Sequence, residues 1–252
     1  MKIAIVTGAS SGMGREFVRQ IECMYNDLDE IWVVARRRER LEELVQQTKT
    51  NVRMFVGDLQ NDEIYKEIET NLKSLNPNVD ILVNAAGFGK IGYVDEITCK
   101  AQIDMIHLNC MALVHMTKLC ISYMRKGSCV INLASASAFC PQPGFGVYAA
   151  TKSFVLSFSR SLRAELENKG IGVTTVCPGP VETEFFKVSG KKENNGMKDS
   201  VTAKPEKVVS KALRDTRKGK ALSVYGISMK MCRIATKLVP HSVILKIMKL
   251  FW

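Results

Sequence analysis

Seven short runs of this chain are apolar at most consecutive positions: Ile3 to Val6, Ile31 to Val34, Val52 to Val56, Ile81 to Val83, Cys129 to Leu133, Val173 to Val176 and Leu222 to Tyr225. A strand that alternates apolar and polar residues can leave one face in water, whereas a strand apolar throughout must be covered on both faces. Helical patterns fall between the runs, at 13–25, 38–48, 62–75, 100–126, 147–168 and 205–217. This alternation predicts an α/β fold, a doubly wound, Rossmann-like sheet of seven parallel strands with helices on both faces and right-handed crossovers. The stretch from Ala101 to Met124 is apolar nearly all round, so it is expected to be covered on every side, by the sheet and by a second subunit.

Neither repeats nor a linker divide the 252 residues, and 46% hydrophobic content supplies one core. Residues 1–225 read as a single catalytic domain, with a polar, breaker-rich mobile loop at about 185–205, and residues 226–252 as a helical tail.

The first strand runs straight into Thr7-Gly8-Ala9-Ser10-Ser11-Gly12-Met13-Gly14, and a helix follows. Glycines there keep side chains away from the backbone, so the amides at the helix start can receive a pyrophosphate. The second strand ends in Ala35-Arg36-Arg37-Arg38, where an NAD-preferring protein of this architecture carries a carboxylate for the ribose hydroxyls. Guanidinium groups at Arg36 and Arg37 instead suit the 2′-phosphate of NADP, whereas Arg38 reads as the exposed first turn of a helix. The expected cofactor is NADP(H) in preference to NAD(H).

Farther on, Tyr148 and Lys152 stand one helical turn apart, with Ser135 thirteen positions before the tyrosine. Reducing a ketone requires a hydride at carbon and a proton at oxygen. Tyr148 can supply that proton if its pKa falls below the reference value of about 10, and the Lys152 ammonium is expected to lower it by stabilising the phenolate. Ser135 is placed to hydrogen-bond the oxygen as charge develops on it. His107, His115 and His241 receive no chemical role. The eight cysteines are scattered without a Cys-x-x-Cys pair and read as reduced packing residues, with no metal site.

In chain order, Thr7 to Gly14, Asp58 with Leu59, Asn84-Ala85-Ala86-Gly87, Asn109, Ser135, Tyr148 to Lys152 and Pro178-Gly179 resemble seven motifs of the short-chain dehydrogenase/reductase family, of the single-domain type. The resemblance implies an oxidoreductase acting on CH–OH/C=O groups, usually a homodimer or homotetramer. Ser135, Tyr148, Lys152 and Asn109 would be catalytic, Asn109 through a water that resupplies protons by way of the lysine. Gly8, Ser10, Ser11, Gly12, Met13, Gly14, Asp58, Leu59, Asn84, Ala85, Gly87, Tyr148, Lys152, Pro178, Gly179, Val181 and Thr183 would join Arg36 and Arg37 in holding the cofactor. A cofactor-sensing binding protein on the same fold is the alternative; it would need the glycine loop without an acid.

The substrate cleft is expected among Phe88, Gly89, Ile91, Ser135, Ser137, Phe139, Pro141, Gln142, Pro143, Phe145, Phe185, Phe186 and Val188, a mostly apolar wall suited to a steroid-like, acyl-chain or aromatic carbonyl. Charge is distributed unevenly: residues 1–186 hold 20 Lys and Arg against 21 Asp and Glu, while residues 187–252 hold 16 against 4. Pro240 splits the basic tail into two short amphipathic helices, suited either to a membrane surface or to covering the cleft or a partner subunit. No export or membrane-spanning signal stands out in the sequence, so the expected location is cytoplasmic, with peripheral membrane contact through the tail. Nucleic acid is not an expected partner, since no aromatic-interleaved basic surface accompanies the charge.

Overall fold

The computed structural model describes residues 1–185, 189–190 and 202–249. Its strands are β1 (Lys2–Thr7), β2 (Glu30–Ala35), β3 (Asn51–Val56), β4 (Asn78–Asn84), β5 (Cys129–Leu133), β6 (Gly172–Val176) and β7 (Leu222–Ser223). They form one sheet in the order β3-β2-β1-β4-β5-β6-β7, every pair parallel. The helices are α1 (Gly12–Met24), α2 (Arg38–Gln47), α3 (Asp62–Leu75), α4 (Cys99–Ile106), α5 (Ala112–Ile121), α6 (Gly146–Leu166), α7 (Pro205–Arg217), α8 (Ile227–Leu238) and α9 (His241–Lys249).

The two faces of the sheet build two cores, as the doubly apolar strands require. Ala4, Val6, Ile31 and Val33 meet Phe17, Leu41 and Leu213 from α1, α2 and α7. The alternating positions Ile3, Ile5, Trp32 and Val34 belong with Ile68, Met116 and Leu162 from α3, α5 and α6.

Two expectations need correction. The seventh strand stops at Ser223, because it pairs with β6 only through Leu222 and Ser223. The helix expected over 100–126 is two helices joined by a π-turn at His107–Met111. Its own chain leaves Ile103, Ile106, Met111 and Val114 exposed, on the side where a second subunit is expected. Of the loop expected at 185–205, the described part includes a buried Ser189, whose carbonyl accepts from the Ile91 amide, and Ala203, paired with Val181. Phe186, Lys187 and Val188 lie outside the described residues. Among the described residues no helix is long and apolar enough to cross a membrane.

A polar ladder crosses the apolar middle of the sheet. Asn84, the last residue of β4, donates through Nδ2 to Thr117 Oγ1 on α5 at 3.1 Å and to Asn132 Oδ1 on β5 at 2.9 Å. Asn132 Nδ2 donates in turn to Ser159 Oγ on α6 at 2.9 Å. The two hydroxyls close the row on helix carbonyls, Thr117 on Leu113 and Ser159 on Val155. Buried polar groups are stable only when partnered, so removing one rung strands its neighbours. Asn132→Ala is expected to lower stability by about 2–4 kcal/mol, read as a lower urea midpoint in equilibrium unfolding; an unchanged midpoint would show that the ladder contributes nothing.

Candidate active site

The strand order reverses between β1 and β4, and in sheets of this kind a crevice opens beyond the carboxyl ends of the strands at that point. Gly8 leaves β1 with φ of +69°, its amide donating to Val34 O at 2.9 Å. A side chain there would place its Cβ 2.9 Å from Ala86 Cα, and one at Gly14 would collide with the Gly8 carbonyl. The loop is therefore pressed against both the helix start and the turn after β4, and only glycine fits. Thr7 fixes that turn: its Oγ1 accepts from the amides of Ala85 and Ala86 at 3.1 and 3.2 Å. Ser11, preceding α1, makes no side-chain cap, and the first turn carries no carboxylate, so the leading amides keep their affinity for an anion.

A cavity of about 440 Å³ runs along this loop, lined by Gly8, Ser10 to Gly14, Arg36, Arg37, Asp58, Leu59, Ala85, Gly87 and Thr183. Its shape and amide-rich floor fit a dinucleotide. At the far end Arg36 Nη1 stands 3.4 Å from Asp58 Oδ2. Arg37 reaches across the opening to Glu184 at 2.9 Å and to Ser10 Oγ at 3.3 Å, and its guanidinium holds the Glu184 carboxyl below the usual range. Arg38 turns away to Glu42, in keeping with a solvated helix start. Asn84 departs from expectation: its side chain belongs to the ladder, and the cavity wall begins at Ala85.

A second cavity of about 650 Å³ adjoins the first, and Met13, Ala85, Gly87, Leu133, Thr183 and Phe185 line both. Ser135, Tyr148 and Lys152 lie in the wall of the second, together with Pro178, Gly179 and Val181. The extended backbone at Ser135 starts a short 3₁₀ turn, Ala136–Phe139, whose Ser137 amide donates to Ser135 Oγ at 3.1 Å. The Ala136 amide donates to Pro178 O at 2.7 Å and ties that turn to the segment after β6. The Tyr148 ring stacks on Phe145 at 4.2 Å and meets Phe185 at 5.4 Å. Gly89 makes room for all three rings, since a Cβ there would come within 2.8–2.9 Å of each.

Burial, rather than the lysine, dominates the tyrosine. Desolvation pushes Tyr148 up to about 12, against the opposing hydrogen bond with Ser135. Lys152 is pushed down to about 8, also by burial. Its Nζ donates to Leu133 O at 2.8 Å and lies 5.7 Å from the centre of the tyrosine ring. The expected lowering of the phenol by its neighbour is thus reversed in the protein's own field.

Asn109 sits within the π-turn, buried. Its Nδ2 donates to Phe88 O at 2.9 Å and Thr151 Oγ1 at 3.0 Å, and its Oδ1 accepts from Phe88 N at 3.0 Å. Both amide hydrogens are therefore engaged, and the side chain clamps the loop after β4 to α6.

Ile91, Gln142 and Phe145 line the second cavity as expected, and so does Ser137. Phe139 and Pro143 do not: Phe139 packs into a core patch with Val155 and Val224. Pro141, exposed, also falls outside. Sequence reasoning missed that the tail supplies individual wall residues, namely Met229, Cys232, Ala235, Thr236 and Val239 around α8 with Ile244 and Met248 of α9. The signal was their three- and four-residue spacing. All eight cysteines are free thiols, five of them buried.

A family model described as short chain dehydrogenase matches residues 2–194. The NADP-dependent 3-hydroxy acid dehydrogenase YdfG of Escherichia coli K12 is 34% identical over 221 residues, 82% of this chain and 85% of that one. The very-long-chain 3-oxoacyl-CoA reductase of Anas platyrhynchos is 31% identical over 197 residues, 74% of this chain and 62% of its own length. The fold superimposes on a short-chain dehydrogenase from Sphingobium yanoikuyae in complex with NADPH with a TM-score of 0.80, at 23% identity and 94% coverage of both chains.

The buried ammonium makes a signed prediction. Its folded pKa lies below the unfolded value of 10.5, so the unfolded chain binds the proton more tightly; the penalty on the fold is full below about pH 8 and fades as pH rises towards 10.5. Relative to wild type, Lys152→Met should therefore melt at its most favourable at pH 7 and lose ground steadily by pH 9.5. A melting-temperature difference independent of pH would show that Lys152 is not buried as a charge.

Proposed function

The chain belongs to the short-chain dehydrogenase family, and on that premise we propose that it interconverts a bulky apolar ketone and its secondary alcohol with NADP(H). The observation that carries this reading is the position of Ser135, Tyr148 and Lys152 in the wall where the dinucleotide-shaped groove opens into the larger apolar cavity. A cofactor-sensing protein would have no use for a phenol, a hydroxyl and an ammonium gathered at that junction.

The glycine loop and the amides opening α1 would hold the pyrophosphate, and Arg36 and Arg37 the 2′-phosphate. Bound there, the dihydronicotinamide supplies a hydride to the carbonyl carbon. Ser135 donates a hydrogen bond to the carbonyl oxygen, and Tyr148 gives that oxygen its proton. A phenol held near 12 is a weak acid, yet the alkoxide it meets is a stronger base, so the transfer runs downhill. Lys152, still charged at neutral pH, stabilises the phenolate left behind. A tyrosine that keeps its proton favours reduction near neutrality and makes alcohol oxidation depend on alkaline pH.

The acyl and 3-hydroxy acid chemistry in the names of the two relatives agrees with an oxygenated substrate, and the cavity adds that its bulk is apolar. The exposed Ile103, Ile106, Met111, Val114 and Phe154 offer apolar surface on which a second copy can pair, and the unpaired thiols agree with a cytoplasmic site of action.

The test is loss of NADPH absorbance against steroid, long-chain acyl and aromatic ketones. Tyr148→Phe is expected to lose about 10²- to 10⁴-fold in kcat with NADPH affinity unchanged; retained turnover would overturn the assignment. Arg37→Ala should weaken NADPH binding on the order of tenfold and leave NADH binding alone, and equal losses for both would refute the phosphate role. Alcohol oxidation should climb from pH 7 and level off above about pH 8, where Lys152 loses its charge, while reduction falls over that range; parallel profiles for the two directions would contradict the account.

A further inference from the structure

The helix that closes the apolar cavity has a second apolar face directed away from it. Met229, Cys232, Thr236 and, just past the helix end, Val239 look into the cavity, and Met229 packs so closely on Gly179 that a side chain there would meet its Sδ at 2.6 Å. Ile227, Met231, Ile234 and Leu238 recur at intervals of four, three and four on the other side of α8, 79%, 60%, 51% and 78% exposed. At 3.6 residues per turn these four fall within an arc of about 60°. Beside that arc runs a basic row of Lys230, Arg233 and Lys237, and no acidic residue follows Asp215 in the sequence, which there holds eight Lys and Arg.

We propose that this outer face of α8 docks the protein on an anionic lipid surface. An apolar stripe flanked by lysine and arginine is the composition of a helix lying in the headgroup layer, where the stems of the basic residues follow the apolar surface and their charges reach lipid phosphates. The charge decides against a second copy as occupant. A two-fold contact through this stripe would bring together two tails with eight basic and no acidic residues each after Asp215, and like charges facing one another oppose association. Val243 and Lys246, both exposed on α9, extend the same apolar and basic character beyond Pro240. The docking does not rest on the function proposed above.

Flotation of the full chain with phosphatidylcholine vesicles, with and without phosphatidylglycerol, tests it. Wild type should float with the anionic vesicles and stay behind with the neutral ones. Replacing the outward residues together, Ile227→Gln, Met231→Gln and Leu238→Gln, should reduce anionic-vesicle binding at least about tenfold. Lys230→Gln with Lys237→Gln should lose on the order of tenfold and remove the preference for anionic lipid. None of these side chains faces the cavity, so both variants should keep wild-type turnover of a short, water-soluble ketone. Equal flotation of wild type and the triple variant would overturn the proposal. So would a triple variant that falls to a smaller species by light scattering, which would assign the stripe to a second copy. Flotation as expected from a protein that reduces no ketone would sustain the docking and sink the catalytic reading alone.

Discussion

A row of four side chains, Thr117, Asn84, Asn132 and Ser159, is the constraint on which the site depends. Apolar packing between strand and helix tolerates sliding, because one branched side chain replaces another at little penalty. Amides do not slide: each has fixed donors, and a shift of one residue would leave several of them buried and unpaired. The row therefore locks β4 beside β5 at the pair Asn84 and Asn132, and seats α5 and α6 on that pair. One residue past Asn84 the chain forms the turn under the groove, two past Leu133 it reaches Ser135, and α6 carries Tyr148 and Lys152. Distances between groups that act together are thus set from beneath, in the driest part of the molecule.

The same dryness shapes the electrostatics. An ammonium and a phenol enclosed by aromatic rings and backbone each resist charging, and this outweighs their influence on one another. Their chemistry is consequently that of a held proton rather than of a standing ion pair.

How far the sequence disclosed all this follows from what each signal encodes. Strands covered on both faces leave a run of apolar residues, so the sheet, its direction and most of its boundaries to within a residue were legible; the start of β4 was not, because Asn78 and Asp80 interrupt the apolar run, nor the end of β7, because Val224 and Tyr225 are apolar for contacts other than pairing. Spacing along a helix placed Tyr148 against Lys152, and a glycine loop after a strand located the groove. Asn84 and Asn109 were legible as residues but not as roles, since partners such as Asn132 and Phe88 lie far along the chain. Phe139 against Phe145 could not be separated either: both are aromatic, and only the turn of the backbone sends one into a core patch and the other onto the tyrosine. Burial shifts are the least visible of all, because they depend on enclosure from every direction.

The ion pair between Arg37 and Glu184 joins the end of β2 to the segment after β6 across the mouth of the groove. A guanidinium already answered by a carboxylate is not vacant, so an anion arriving there enters a competition between ligands, one of them part of the chain. The affinity observed is then a difference between two attractions. A singly charged carboxylate yields to a phosphate bearing two charges and three acceptor oxygens, and does not yield to a neutral hydroxyl. Discrimination at that end of the groove would therefore come as a threshold, set by what the arginine must give up.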